Sequence, residues 1–288
     1  MMLSMTGFAT RSREFSGGVL SLELRAVNHR YFDLQVRLPE ELRSIEPALR
    51  EAVSAQVVRG KIECRISLTP SVATVPTLTL NRELISQLVA VSGELSALVP
   101  SCRPLSTGEL LRWPGALVAQ SLAPSVLQQL CVAELPALID DFNATRAREG
   151  DKLAAILVER LVGIETLIAH IQPKLPAILA AWQGRLVGRL AEANVSLDDD
   201  RIKQEFSLFA QKIDVDEELG RLTAHVSEVR RVLRAGGQAG KRLDFLMQEL
   251  NREANTLGSK SVSPETTQTS VELKVLIEQM REQIQNLE

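Results

Sequence analysis

Residues 20–38 decide the fold: Leu20-Ser21-Leu22-Glu23-Leu24-Arg25-Ala26 and Phe32-Asp33-Leu34-Gln35-Val36-Arg37-Leu38 both alternate apolar with polar side chains. A period of two sends successive side chains to opposite faces, so each run reads as a strand with one buried side. Gly17-Gly18, ahead of the first run, marks a hairpin turn. Past Pro39 the period changes. Leu42, Ile45, Leu49 and Val53 recur at helical spacing until Arg59-Gly60-Lys61, after which Ile62, Cys64, Ile66 and Leu68 alternate again. This order of elements predicts an N-terminal α+β unit, closed by the stretch from Pro70 to Pro76.

Beyond Asn81 the pattern is almost wholly helical, with breaks around Pro100 to Pro104, at Trp113-Pro114-Gly115, near Pro124, and at Pro173 and Pro176. Ser106-Thr107-Gly108-Glu109 has the residues of a capping box. Residues 125–170 and 177–194 are amphipathic and Leu/Ala-rich, and Asp198-Asp199-Asp200 suits the positive end of a following helix. The last helix opens with Ser263 as cap and Pro264 as first residue. Its seam of Leu273, Ile277, Met280, Ile284 and Leu287 suits either a neighbouring helix of the same chain or another subunit. The expected class is α+β. A small antiparallel sheet belongs to an N-terminal α+β domain (1–155), followed by a helical connector (156–200) and a C-terminal helical domain of long amphipathic helices (201–288).

With 288 residues, 45% hydrophobic, 24% charged and 3% aromatic, the composition excludes disordered, collagenous and membrane-spanning classes. Met1 to Phe8 lacks the basic start and apolar stretch of a signal peptide, so a cytoplasmic location is expected. Cys64, Cys102 and Cys131 are odd in number and widely spaced, which argues against a disulfide framework or a cysteine zinc site and for small core residues. A net charge of −3 excludes a strongly basic polyanion binder, so any nucleic-acid surface must be local. Charge does segregate: Asp198 to Glu218 is acidic, and Arg221 to Arg242 is basic.

Chemistry concentrates in the C-terminal third. Arg201 to Arg234 reads as one helix with Val215, Leu219, Leu222, Val226, Val229 and Leu233 as its apolar stripe. Asp214, Glu218, Arg221, His225 and Glu228 follow at steps of four and three along an adjacent stripe. Carboxylates and an imidazole on one face suit a divalent cation or a general acid and base, although a solvated salt-bridged face has the same spacing. Gly236 to Arg242 forms a basic turn. It is not a nucleotide-binding P-loop, because its glycine spacing is short, no Ser or Thr follows Lys241, and a helix precedes it. Lys241 and Arg242 remain placed to touch phosphate, or simply to connect two helices.

The next helix, Leu243 to Leu257, buries Leu243, Met247, Leu250 and Ala254. Asp244, Gln248, Asn251 and Asn255 form one polar row, and Arg242, Glu249, Arg252, Glu253 and Thr256 a neighbouring one. Asparagine inside a helix costs intrinsic stability, and such local conflicts often mark functional sites. Lys260 follows in a polar loop. At a strand end, His29-Arg30-Tyr31 pairs a phosphate-gripping side chain with a ring on which an unpaired base can stack; plain surface packing gives the same cluster. His170, on a Leu/Ile-rich helical segment, reads as structural.

Several of these stretches together resemble the YicC/YloC family of bacterial proteins. They are Ser4-Met5-Thr6-Gly7-Phe8, Arg25 to Asp33 with Arg37-Leu38-Pro39, Arg59-Gly60-Lys61, Trp113-Pro114-Gly115, and Leu243-Asp244-Phe245 through Gln248 to Thr256 and Ser259-Lys260-Ser261. Val271 to Lys274 and Ile277 to Gln283 are similar to it too, so the resemblance runs the length of the chain. Ala26 and Leu257 depart from the family's common Ser and Ile, which touches packing more than chemistry.

The resemblance implies a bacterial endoribonuclease that depends on a divalent metal, takes part in RNA turnover, and assembles as a homo-oligomer, with a hexamer expected. Under it, Asp214, Glu218, His225 and Glu249 become the expected ligands of Mn²⁺ or Mg²⁺, and His225, Glu249, Arg252 and Glu253 the expected catalytic groups. Arg25, Asn28, His29, Arg30, Tyr31, Lys241, Arg242 and Lys260 are the expected RNA contacts. Other RNA-turnover proteins are possible partners, and a membrane is not. Two further classes compete: a non-catalytic oligomeric adaptor that presents RNA to other nucleases, and a scaffold whose polar rows are salt-bridge networks.

Overall fold

The computed structural model describes residues 2–70, 78–99, 101–119, 123–192, 204, 207, 209–211 and 213–288. Pro76, Pro100, Asp198-Asp199-Asp200 and the expected helix start at Arg201 lie outside the described residues. The N-terminal part contains β1 (Gly7–Phe15), β2 (Gly18–Val27), β3 (Phe32–Arg37), a 3-10 turn (Glu40–Ile45), α1 (Glu46–Ser54) and β4 (Gly60–Pro70). β5 (Leu78–Leu80), α2 (Arg82–Leu98), α3 (Thr107–Arg112) and β6 (Leu117–Ala119) follow. The remainder is helical: α4 (Pro124–Ile171), a 3-10 turn (Gln172–Lys174), α5 (Leu175–Glu192), α6 (Asp216–Ala235), α7 (Gly240–Ser259) and α8 (Pro264–Ile284). The class is α+β.

Strand order is β1-β2-β4-β3. β1 and β2 form the expected hairpin, with Phe15 opposite Gly18, and β2 runs antiparallel to β4. The small sheet expected to be antiparallel is mixed, because β3 pairs parallel to β4. Its connection explains this: the chain crosses back through the 3-10 turn and α1 before entering β4, and such a crossover returns a strand in the same direction. Leu20, Leu22, Leu24 and Ala26 of β2 are buried, as are Ile62, Cys64 and Ile66 of β4. They pack on Leu42, Leu49 and Val53, and on Leu127, Cys131, Leu135, Leu138 and Phe142 from the first half of α4.

The second half of α4 enters a different core. Leu157, Leu161, Ile164 and Ile168 join Leu222, Val226 and Val229 of α6, Met247, Leu250 and Ala254 of α7, and Leu273, Ile277 and Met280 of α8. α4 packs on α6 and α8, and α7 lies against those same two helices, which makes a four-helix arrangement. The seam of the last helix is therefore buried within the chain. Each of its fully buried Leu, Ile or Met side chains contributes about 1.5–3 kcal/mol by leaving water. α4 is 48 residues long, or about 72 Å at 1.5 Å per residue, and it runs through residues 155 and 156 without a break.

The two cores are also tied by residues from both ends of the sequence. Met5 N–H donates to the Asn286 carbonyl (2.8 Å), Glu288 N–H to Leu3 (3.0 Å), and Ser4 N–H to Arg146 of α4 (3.0 Å). The Arg146 side chain is fully buried there. Its Nε donates to the Ser4 carbonyl (2.8 Å), and its guanidinium pairs with the Glu288 carboxylate. Gly150, one turn further along α4, leaves room for this crossing: a Cβ there would stand 2.1 Å from the Met2 carbonyl oxygen.

Candidate metal centre

α6 and α7 each bury one stripe in the helical core, so the polar edges of the two helices meet beside it. The turn between them depends on glycine. Gly236 and Gly237 have φ of 69° and 77°, in the left-handed region that side chains rarely adopt, and so let α6 end abruptly and α7 fold back. Glu249 and Glu253 lie one turn apart on α7 and share a face. Opposite them stands His225. The ligand atoms of His225, Glu249 and Glu253 all lie within 4.8 Å of one another. Glu253 is buried, while His225 and Glu249 are half-buried and open to solvent on one side.

Charge in this cluster is not balanced. Among the described residues its ion-pair partner is Arg221, whose Nη1 is 3.5 Å from Glu253 Oε1 and which also pairs with Glu217. Its guanidinium is held above its ordinary pKa by Glu217 first and Glu253 second. Two carboxylates in a partly dry site repel unless a cation joins them. An imidazole and two carboxylates form a donor set that manganese, magnesium or zinc accepts. The residues present fit a divalent cation.

Other expected metal ligands lie elsewhere. Asp214 precedes α6 instead of standing within it, and its Oδ1 accepts the Asp216 N–H (3.0 Å) at the helix start. The expected unbroken helix from Arg201 therefore does not hold at residues 214–215, and the row that placed Asp214 beside His225 begins one turn later. Glu218 is buried, and its Oε1 accepts from Lys260 Nζ (2.8 Å), which also donates to the Asp214 carbonyl (2.8 Å). Among the described residues, neither Asp214 nor Glu218 joins the His225 cluster. Lys260 is thus a structural cation at the far end of α7. It lies about 28 Å along the helix from Lys241 and apart from the other expected RNA contacts.

Those contacts divide. Arg30, Tyr31 and Lys241 line one groove, which Arg59 also enters. Asn28 Nδ2 donates to Asn286 Oδ1 (3.1 Å), and His29 Nδ1 meets the Tyr31 carbonyl (3.0 Å), so both are engaged in holding the β2–β3 turn. Arg25 is exposed on β2, and Arg252 is exposed on α7. Arg242 pairs with Glu228, whose carboxyl is kept below its ordinary pKa chiefly by its hydrogen bond from Arg231. His170 is an exposed member of a surface group with Lys174 and Glu265. Cys64 and Cys131 are buried, with burial pushing their thiols up to about 12 and about 11; Cys102 is half-exposed.

Sequence reasoning missed two elements. Arg59 belongs to the Arg59-Gly60-Lys61 run that reads as the end of a helix, and only the folded chain turns it toward Arg30. Arg146 sits in a Leu/Ala-rich helical segment with no local sign that its charge is buried.

Comparison with known proteins places the chain in a family. Residues 2–155 match the family described as "Endoribonuclease YicC-like, N-terminal region", and residues 171–288 match "Endoribonuclease YicC-like, C-terminal". A protein of Haemophilus influenzae named "Probable endoribonuclease YicC" is 42% identical over 288 residues, spanning 100% of both chains. A protein of the same name from Clostridioides difficile is 27% identical over 295 residues, again spanning 100% of both. The chain belongs to the YicC-like endoribonuclease family.

Proposed function

We propose that the chain is a metal-dependent endoribonuclease that cuts phosphodiester bonds in single-stranded or structured RNA during bacterial RNA turnover. The observation that carries this reading is the convergence of His225, Glu249 and Glu253 within 4.8 Å at an open edge of two helices. These three residues would hold Mn²⁺ or Mg²⁺. Such an ion, when bound, neutralises phosphate charge and lowers the pKa of a coordinated water.

The chain's own groups divide the remaining work. Glu253 is fixed by burial and by Arg221, so it is a rigid carboxylate. Glu249 and His225 reach solvent: with one carboxylate oxygen on the ion, Glu249 would keep the other to accept the proton of the attacking water and pass it to the leaving oxygen, a role His225 would fill only with its ring nitrogen off the ion. Arg252, exposed on the same stretch of α7, offers its guanidinium to the phosphate oxygens on which negative charge grows. Arg242 is committed to Glu228 and is the weaker candidate for that role.

Assembly as a homo-oligomer, with a hexamer as the expected form, is supported by α2. That helix buries no residue in this chain and exposes Val89, Val91, Leu95 and Leu98. No helix among the described residues is long and apolar enough to cross a membrane, and the proposed place of action is the cytoplasm.

The test is cleavage of a short labelled single-stranded RNA by wild-type and Glu249→Gln protein, each with Mn²⁺, Mg²⁺ or EDTA, with folding and oligomer size measured in parallel. Metal-dependent cutting that disappears in a well-folded variant is the expected result. Cutting that survives the substitution contradicts the assignment of the site, and RNA binding without cutting by wild type moves the reading to a non-catalytic adaptor.

A further inference from the structure

The seam between the two cores holds a groove of about 680 Å³, lined among others by Arg30, Tyr31, Arg59, Lys241, Asp244 and Glu288. Tyr31 stands 64% exposed at the tip of the β2–β3 turn, and Arg30 Cζ lies 5.4 Å from its ring centroid. A ring this exposed is not explained by burial. The turn that carries it is nevertheless fixed: His29 Nδ1 either donates to the Tyr31 carbonyl (3.0 Å) or accepts from its N–H (3.3 Å), according to tautomer, and Arg59 Nε donates to the His29 carbonyl (3.3 Å). The ring is presented on a preorganised loop.

Opposite the ring, α7 begins. Gly240 and Lys241 of its first turn line the groove, Ala239 supplies no side-chain cap, and the first turn carries no acidic residue. The helix thus opens toward the groove with the Gly240 and Lys241 amides unpartnered within it, while the Ala239 N–H at its start donates to the Glu288 main-chain oxygen (3.3 Å). Of the two side-chain carboxylates in the lining, that of Glu288 is taken up, its Oε1 accepting the Val58 N–H (2.8 Å) and its other oxygen pairing with buried Arg146, while Asp244 accepts from the neutral Gln248 Nε2 (3.0 Å) and keeps its charge against the three cations. Arg30, Arg59 and Lys241 form no salt bridge with these or other acids among the described residues.

An exposed ring, three cations and the first turn of a helix in one groove match the chemistry of a nucleotide whose base is out of the stack. A paired base keeps its faces inside the duplex and cannot reach such a ring. We propose that this groove binds an unpaired RNA nucleotide, with its base on the Tyr31 ring and its phosphate at Lys241 and the first turn of α7. The choice of RNA rests on the function proposed above. Lys241 and Glu249 are eight residues apart, about 12 Å along the helix, so the groove grips RNA away from the phosphate being cut and selects strands with unpaired bases there.

The test measures binding without cleavage, using the full chain in a Glu249→Gln background with EDTA present. A short labelled oligouridylate and a labelled RNA duplex are titrated against this protein and against versions that also carry Tyr31→Ala, Tyr31→Phe or Lys241→Ala. Tyr31→Ala is expected to weaken single-strand binding about tenfold and duplex binding less than about twofold, with Tyr31→Phe restoring the single-strand affinity. Lys241→Ala is expected to lower the salt slope by about one.

Undiminished binding by Tyr31→Ala, equal losses for single strand and duplex, failure of Tyr31→Phe to restore affinity, or no RNA affinity at all would each overturn the proposal. Because Tyr31 is exposed, its replacement does not threaten folding. The two readings fail separately. Tyr31-dependent binding by a protein whose wild type never cuts RNA removes the nuclease reading alone, and metal-dependent cutting with undiminished Tyr31→Ala binding removes the groove alone.

Discussion

Two clusters of buried charge lie where helices meet, and they are built on opposite rules. At the junction of the cores, buried Arg146 finds a carboxylate on Glu288, the Ser4 carbonyl and Asn143 Oδ1, so its donors have partners. Between α6 and α7, Glu249 and Glu253 face His225, and among the described residues the exposed Arg221 alone forms an ion pair with them. Burial lowers the Arg146 guanidinium pKa from its ordinary value. The saturated cluster holds the molecule together. In the proposed function the second is completed by a divalent cation.

The difference predicts opposite responses to losing one charge. Arg146→Met leaves the Glu288 carboxylate without its partner and frees the Ser4 strand, and the expected loss is about 3–5 kcal/mol in denaturant unfolding. A loss below about 1 kcal/mol would show that the junction tolerates an unpaired carboxylate. Glu249→Gln removes one of two repelling carboxylates. Metal-free stability should stay level or rise, while RNA cutting falls by more than about a hundredfold, near 3 kcal/mol of transition-state stabilisation.

Added Mn²⁺ sharpens the contrast further. At about a hundred times its dissociation constant a bound ion should stabilise wild-type protein by about 2.7 kcal/mol and leave Glu249→Gln much less changed, as thermal melts would read directly. Lys260→Ala acts at a third pair, where Glu218 Oε2 is already buried without a hydrogen-bond partner among the described residues. It leaves Glu218 buried and unpaired, and about 2 kcal/mol of stability should disappear without a change in metal affinity.

The smallest effect concerns half-buried Glu228, whose carboxyl is held below its ordinary pKa of 4.5 by Arg231 and Arg242. A depressed folded-state value means that this contribution is present above pH 4.5 and is lost as pH falls below it. Glu228→Gln should therefore flatten the acid limb of a stability profile slightly and leave the neutral region unchanged.

Much of this could be read from the chain before folding. The alternation at Leu20 to Ala26, the Ser263-Pro264 start and the core stripe of α7 are local signals, and local geometry enforces them. The direction of β3 was not legible. Its pairing depends on how α1 crosses the sheet, and period-two patterning is the same for parallel and antiparallel neighbours. Asp214 was misplaced because spacing by fours and threes assumes an unbroken helix, whereas α6 begins only at Asp216. Glu218 shares the stripe of His225, yet Lys260 from beyond α7 claims it. Arg146 and Glu288 are 142 residues apart, and nothing near either one announces the other.

The central claim is that His225, Glu249 and Glu253 form one cation site, and Mn²⁺ titration monitored by electron paramagnetic resonance tests it most directly. Wild-type protein should show one tight site per chain that weakens strongly in His225→Ala, Glu249→Gln and Glu253→Gln alike, while Asp214→Asn binds as wild type does. Equal Mn²⁺ binding by wild-type protein and these three variants would contradict the claim.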